Sequence, residues 1–295
     1  MKDVDCIHFL QWSLPRLGLR WAGFRRVRGQ VCKRLRRRLA VLGLRDLWDY
    51  RALLETDAAE WRQLDGLCRI SISSFYRDQG VWCWLERDLL PRLVVWAASR
   101  GESRLRIWSA GCASGEEPYT LALMCAFGEV PANIKPEILA TDADPHLLAR
   151  ARRACYPGSS LRELPAHWHA AFERTGDEFC FSPEYRTPVR FQEQDIRRDL
   201  PNGRFDLILC RNLVFTYFQA SLQAVIAGRL TEQRVPGGVL LLGSHASLPA
   251  AVPGLVKERP WLHPREMAEG RAHRARCHRW RGYRLRLRGE GGEYD

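Results

Sequence analysis

Residues 105–122 read Leu-Arg-Ile-Trp-Ser-Ala-Gly-Cys-Ala-Ser-Gly-Glu-Glu-Pro-Tyr-Thr-Leu-Ala. The first six form a short apolar-rich run of strand type, and residues 116–127 follow as a helix. Between them, small residues at the end of a first strand let a ligand approach the backbone, and the helix start offers free N–H groups. That is the geometry of a nucleotide-type site.

Outward from this unit, short apolar runs alternate with helical segments: 137–142, 145–155, 205–212, 219–233 and 239–244. The alternation predicts a parallel sheet with helices on both faces. Residues 1–99 carry apolar positions every three or four residues and no sustained alternation, which predicts a helical N-terminal domain with a linker. Within it, Val31, Leu35, Leu39 and Leu42 share one helix face, Lys33, Arg34, Arg36 and Arg37 the other, and Gly43 is the expected C-cap. Residues 158–191 are rich in Pro, Gly and charge and break the rhythm, so they are expected to be an inserted subdomain of short strands. The expected organisation is therefore α/β: a Rossmann-like doubly wound sheet over residues 100–256, an all-helical domain before it, the small β insertion, and a basic tail at 257–295.

The chemistry of the turn favours a cation. A phosphate loop wants GxGxxG spacing or a Lys-Ser/Thr ending, whereas Glu116 and Glu117 stand here and would repel a pyrophosphate. The second strand ends at Ala140-Thr-Asp142-Ala-Asp144, and an acid at that place holds a ribose diol in doubly wound folds. Asp142 or Asp144 could alternatively cap the following helix. Together the features suit S-adenosyl-L-methionine, whose sulfonium and ammonium are positive and whose ribose is free.

The chain has 295 residues, 46 Lys plus Arg against 34 Asp plus Glu, a net charge of +12. Eleven basic residues and no acid lie between Gln11 and Arg45; another eleven lie between Lys257 and Arg288, with Trp261, Trp280 and Tyr283 interleaved. Such patches meet phosphates or acidic protein surfaces. No apolar run approaches the roughly 20 residues of a membrane helix, and the first residues lack a signal-peptide pattern. The ten cysteines show no CxxC pair and no zinc spacing, so reduced thiols, a cytoplasmic setting and no metal are expected.

Residues 106–122, the Ala-Thr-Asp-Ala-Asp run at 140–144 and Phe205-Asp-Leu-Ile-Leu-Cys-Arg211-Asn212 resemble the CheR family of chemotaxis receptor methyltransferases, over about residues 29–248. The resemblance implies a Rossmann-like domain that binds S-adenosyl-L-methionine, releases S-adenosyl-L-homocysteine and esterifies a protein glutamate. It places Glu116, with Gly111 in the same turn, at the methionine amine, Asp142 at the ribose, Asp195 and Ile196 at the adenine, and Arg211 and Asn212 at the cofactor-side turn. Residues 70–77, Ile-Ser-Ile-Ser-Ser-Phe-Tyr-Arg, resemble the family's TNLTxFFR linker, with Ser71 and Ser73 in place of Asn and Thr and with Arg77 kept.

A glutamate acceptor is ionised near neutral pH and needs no base, so positioning by Arg77 and a tyrosine would supply the rate. The family reads RNxxIYF, whereas this chain has Arg211-Asn-Leu-Val-Phe-Thr216-Tyr217-Phe218. An ungapped match puts Thr216 at the tyrosine position; a one-residue bulge restores Tyr217, which is the preferred assignment. The late GHSE motif appears as Gly243-Ser244-His245-Ala246, with His245 expected in a structural role. The helix of Lys33, Arg34, Arg36 and Arg37 resembles the family's docking helix for an acidic, chemoreceptor-like helical bundle; nucleic acid is less favoured, and membrane insertion is not expected. Two rivals keep the cofactor: a methyltransferase for RNA or a small molecule, and an inactive sensor or scaffold.

Overall fold

The computed structural model describes residues 2–128, 130–243, 246, 248, 256–258 and 284–286. His245 and most of the basic tail lie outside them. The chain forms two compact units: Met1–Ser71 with Thr216–Gln223, and Ile72–Phe215 with Ala224–Asp295.

The first unit is helical: α1 (Asp3–Ser13), α2 (Trp21–Phe24), α3 (Arg28–Leu42), α4 (Leu47–Thr56) and α5 (Ala58–Cys68). Local signals set the ends. Asp46 accepts from the N–H groups of Trp48 and Asp49 at the start of α4, and Asp57 does the same for α5, each cap worth about 1 kcal/mol. Gly43, at φ 65°, ends α3 as expected. That helix buries Val31, Cys32, Leu35 and Leu39 and leaves Lys33, Arg36 and Arg37 exposed. Arg34 departs from the expected basic face: its guanidinium donates to the carbonyls of Leu67 and Arg69 at the end of α5. Arg38 holds the buried carboxylate of Glu60, which also accepts from the Tyr50 hydroxyl at 2.6 Å.

The second unit opens with α6 (Gln79–Trp84), a π-helical turn over Leu85–Leu89 and α7 (Leu90–Ser99). These residues pack with the sheet: the Trp96 indole donates to the Pro236 carbonyl at 3.0 Å, and Arg100 pairs with the buried Asp206. The sheet strands are β1 (Arg104–Ala110), β2 (Lys135–Asp142), β6 (Val189–Glu193), β7 (Phe205–Cys210) and β8 (Arg234–Leu242), in the order β6-β2-β1-β7-β8, all parallel. Every residue of β7 is buried, as a central strand covered on both faces requires. The helices α8 (Glu116–Phe127), α9 (Pro145–Arg153), α10 (Val214–Tyr217) and α11 (Ala220–Glu232) connect them. The strand order reverses beside β1, and ligands bind outside the carboxyl ends of strands at such a reversal.

The insertion is a three-stranded sheet of β3 (Cys155–Pro157), β4 (Phe172–Thr175) and β5 (Glu178–Phe181), ordered β3-β5-β4. Residues 189–191, placed in the insertion from sequence, instead open β6 of the main sheet. The expectation of reduced thiols throughout is overturned for four cysteines. Cys6 is bonded to Cys32, joining α1 to α3, and Cys155 to Cys180 across the β3–β5 pair. Cys68, Cys83, Cys112, Cys125 and Cys210 are free. A short antiparallel pair joins β9 (Val256–Glu258) and β10 (Arg284–Arg286). No helix among the described residues is long and apolar enough to cross a membrane.

Candidate active site

The turn after β1 is held by its neighbours. The N–H groups of Gly111 and Cys112 both donate to the Thr141 carbonyl at the end of β2, at 2.8 and 3.0 Å. Gly111 has φ 80°, and a Cβ there would stand 2.6 Å from Leu213 Cδ2; only glycine meets both conditions. Beyond it, Ala113 is also left-handed, and its N–H donates to Asp142 Oδ2 at 2.9 Å. Asp142 Oδ1 accepts from the Asp144 N–H at 2.9 Å. The carboxylate at the tip of β2 is thus held by two backbone donors. Asp144 is the helix cap, accepting from the N–H groups of His146 and Leu147.

Glu116, at the first position of α8, is 2% exposed. Its carboxylate accepts from the Ser114 hydroxyl at 2.9 and 3.1 Å, and no guanidinium or ammonium of the described residues pairs with it. A buried carboxylate met by one neutral hydroxyl and a helix N-terminus is short of positive charge. Its neighbour Glu117 is differently placed, accepting from the Ser109 hydroxyl at 2.8 Å and from Arg211 at 3.1 Å. Burial pushes the Glu117 carboxyl up, and the adjacent Arg211 guanidinium and Ser109 hydroxyl pull it back.

The linker enters the same unit. Phe75 is fully buried, its ring edge-on to Tyr156 and Phe172, and the Tyr76 N–H donates to Thr120 Oγ1 at 3.2 Å. Arg77 is half-buried and its guanidinium donates to the Ile72 carbonyl. The carbonyl of Arg77 accepts from the Trp82 indole at 2.7 Å and from Arg211 at 2.8 Å.

The acceptor carboxylates of the buried Glu116 and the anchored Asp142, beside one tight glycine turn, fit a cationic nucleoside. Comparison with known proteins gives the same answer. Residues 71–259 match the model of the CheR methyltransferase, SAM binding domain. The chain belongs to the CheR methyltransferase family. Its relatives include the chemotaxis protein methyltransferase of Listeria monocytogenes, 39% identical over 191 residues that make up 64% of this chain and 70% of that one. That of Klebsiella aerogenes is 34% identical over 255 residues, 82% of this chain and 83% of the other. This CheR-family chain is accordingly an S-adenosylmethionine-dependent methyltransferase.

The remaining expected residues of the CheR pattern fall as follows. Asp195 pairs with Arg197 at 2.6 Å and accepts from its N–H at 3.0 Å; Ile196 beside it is buried. Asn212 is left-handed, and a Cβ on Gly243 would come within 2.8 Å of its Oδ1. Arg211 is buried and given over to protein partners: Glu117, the Arg77 carbonyl and Asp78, with the Trp82 ring 5.0 Å away. Thr216 and Tyr217 belong to the first unit, with Ser71, whereas Ser73 and Arg77 belong to the second. There the Arg20 guanidinium donates to the Thr216 carbonyl at 2.9 Å, the Arg20 N–H to the Tyr217 carbonyl at 2.8 Å, and the Tyr217 ring stands edge-on to Phe24 at 5.2 Å. Asp78 and Trp82 were not singled out from sequence; Asp78 directly follows the linker Arg77, and that adjacency was the available signal.

Proposed function

We propose that this methyltransferase esterifies ionised glutamate side chains of an acidic helical protein of chemoreceptor type, in a cytoplasmic setting and without a metal. The observation that carries the cofactor half is Glu116, a buried carboxylate that no guanidinium or ammonium of the described residues pairs with. The acceptor half is supported by Lys33, Arg36 and Arg37, exposed on α3 while Arg34 and Arg38 are tied down.

When bound, S-adenosylmethionine supplies an electrophilic methyl group on a sulfonium and departs as S-adenosylhomocysteine. In this reading Glu116 neutralises the ammonium, Asp142 accepts from the ribose diol, Asp195 and Ile196 flank the adenine, and Gly111, Asn212, Ser71 and Ser73 line the cofactor. Arg77 orients the acceptor carboxylate, and Tyr217 keeps the positioning role that the family resemblance implies. That carboxylate would form the new C–O bond as the C–S bond breaks, the electron pair passing to sulfur. The acceptor is already ionised at neutral pH, so no residue has to remove a proton, and orientation supplies the acceleration.

Two measurements test this. Calorimetric titration with S-adenosylhomocysteine should show binding that Asp142→Ala abolishes. Incubation of a purified chemoreceptor cytoplasmic fragment with methyl-labelled cofactor should give label released as methanol in base, and Arg77→Ala should lose it while keeping cofactor affinity. Label stable to base, or label appearing in RNA, would overturn the glutamate assignment.

A further inference from the structure

We propose that Asp78, Arg211 and Glu117 form a clasp that fixes the direction of Arg77, so that these three act as positioning residues for methyl transfer. The proposal rests on the role given to Arg77 above.

The backbone at Arg77 is unusual on both sides. Tyr76 has φ 57° and Asp78 has φ 63°, and left-handed backbone is unfavourable for a residue that carries a Cβ. Asp tolerates that region better than a bulky side chain does, and Tyr76 is both bulky and buried. A doubly inverted turn of this kind persists only where its surroundings determine it, and here the determinants are specific. The carbonyl of Arg77 takes two donors, Trp82 Nε1 and an Arg211 nitrogen, and the same Arg211 nitrogen reaches Asp78 Oδ2 at 2.8 Å.

The other arm of the guanidinium ends on Glu117, adjacent in sequence to the buried Glu116. Arg211 therefore ties the linker to the first turn of α8, with its side chain 3% exposed and those of Asp78 and Glu117 at 31% and 15%. The planar fork is what permits this: one rigid group meets two carboxylates and a carbonyl, which a lysine ammonium on a flexible stem cannot reproduce.

The test uses Asp78→Asn in the full chain. Asn also tolerates left-handed backbone, so the turn keeps its preferred shape while the negative charge that faces Arg211 is lost. The expected result is S-adenosylhomocysteine affinity within about twofold of wild type and methylation of the chemoreceptor fragment slower by at least about tenfold, as expected for a misplaced group. Amide exchange over residues 72–79 should quicken. In an Arg77→Ala background the same substitution should remove nothing further, because a residue that acts through Arg77 has nothing left to position.

Losses that multiply in the double variant would overturn the clasp. So would unaltered exchange over residues 72–79, an outcome that does not depend on which acceptor is used. Unchanged turnover in Arg77→Ala alone would overturn the underlying role of Arg77, and is distinguishable because it appears without any change at Asp78. Arg211→Lys guards against a folding artefact: with its melting temperature retained, turnover should fall as in Asp78→Asn, and full turnover would count against the clasp.

Discussion

The Tyr156 hydroxyl donates to the Ser114 carbonyl at 2.8 Å, so the first strand of the insertion braces the turn that follows β1. Tyr156 is fully buried and Gly115 passes beneath it, a Cβ there standing 3.1 Å from the same hydroxyl and 2.9 Å from Ala151 Cβ. The insertion thus helps to shape the turn between β1 and α8.

Tyr156→Phe keeps the ring packing and removes that bond. The expected cost is about 1 kcal/mol, a fall of roughly 2–4 °C in melting temperature for a chain of this size, accompanied by weaker S-adenosylhomocysteine binding. Scanning fluorimetry and calorimetry on the same preparation would check both; unchanged affinity would detach the brace from the turn's function.

Glu116→Gln replaces a buried charge by a neutral group of the same shape. Affinity for S-adenosylhomocysteine, which carries the ammonium, should drop by about tenfold or more, the size of one charge-assisted hydrogen bond. Affinity for 5′-methylthioadenosine, which lacks the amino-acid portion, should hold. Equal losses for both ligands would move Glu116 away from the ammonium.

In the first unit, Arg38 beside Glu60 holds that carboxyl below its ordinary value of 4.5, against the opposing effect of burial. The folded-state value lies under the unfolded one. The stabilisation is therefore complete above about pH 4.5 and is lost as pH falls through the folded value. Melting curves between pH 7 and pH 3 should show a drop at the acid end that is smaller in Glu60→Gln. At pH 7 that variant should be less stable by about 2 kcal/mol, since it leaves Arg38 and Tyr50 without their anion.

The Cys6–Cys32 bond closes a loop with a sequence separation of 26. Chain entropy alone makes such a closure worth about 3 kcal/mol, so a Cys6→Ala, Cys32→Ala pair should melt several degrees lower. Dithiothreitol should lower the wild-type melting temperature toward that of the double variant and leave the variant less affected; equal responses would show that the bond adds nothing.

Local features were legible in sequence. The strand, small-residue turn and helix at 105–127, the Gly43 cap and the apolar stripe of α3 depend on neighbours within a turn or two, and the pattern of residue types encodes them directly. What the sequence concealed is long-range. Arg211 meets Asp78 and Glu117 across separations of 133 and 94 residues, which no periodicity reports. Arg34 and Arg36 look alike on a helical wheel, yet only Arg34 meets the carbonyls that end α5. Residues 189–191 follow a proline and look like the rest of the insertion; their place beside β2 is decided by the sheet. The cysteine pairs bear no spacing motif, because what joins them is the facing of α1 on α3 and of β3 on β5.

The first unit is built from two stretches of chain, since Thr216–Gln223 belongs to it and Leu19 pairs with Phe218 in an antiparallel bridge. Gln219 adds its N–H to the Gly18 carbonyl at 2.8 Å. Cutting the gene after residue 71 would therefore yield a helical fragment missing part of its own wall, and a remainder carrying an orphaned loop. A swap of the helical unit between two such chains would therefore have to carry both stretches together to keep that wall intact.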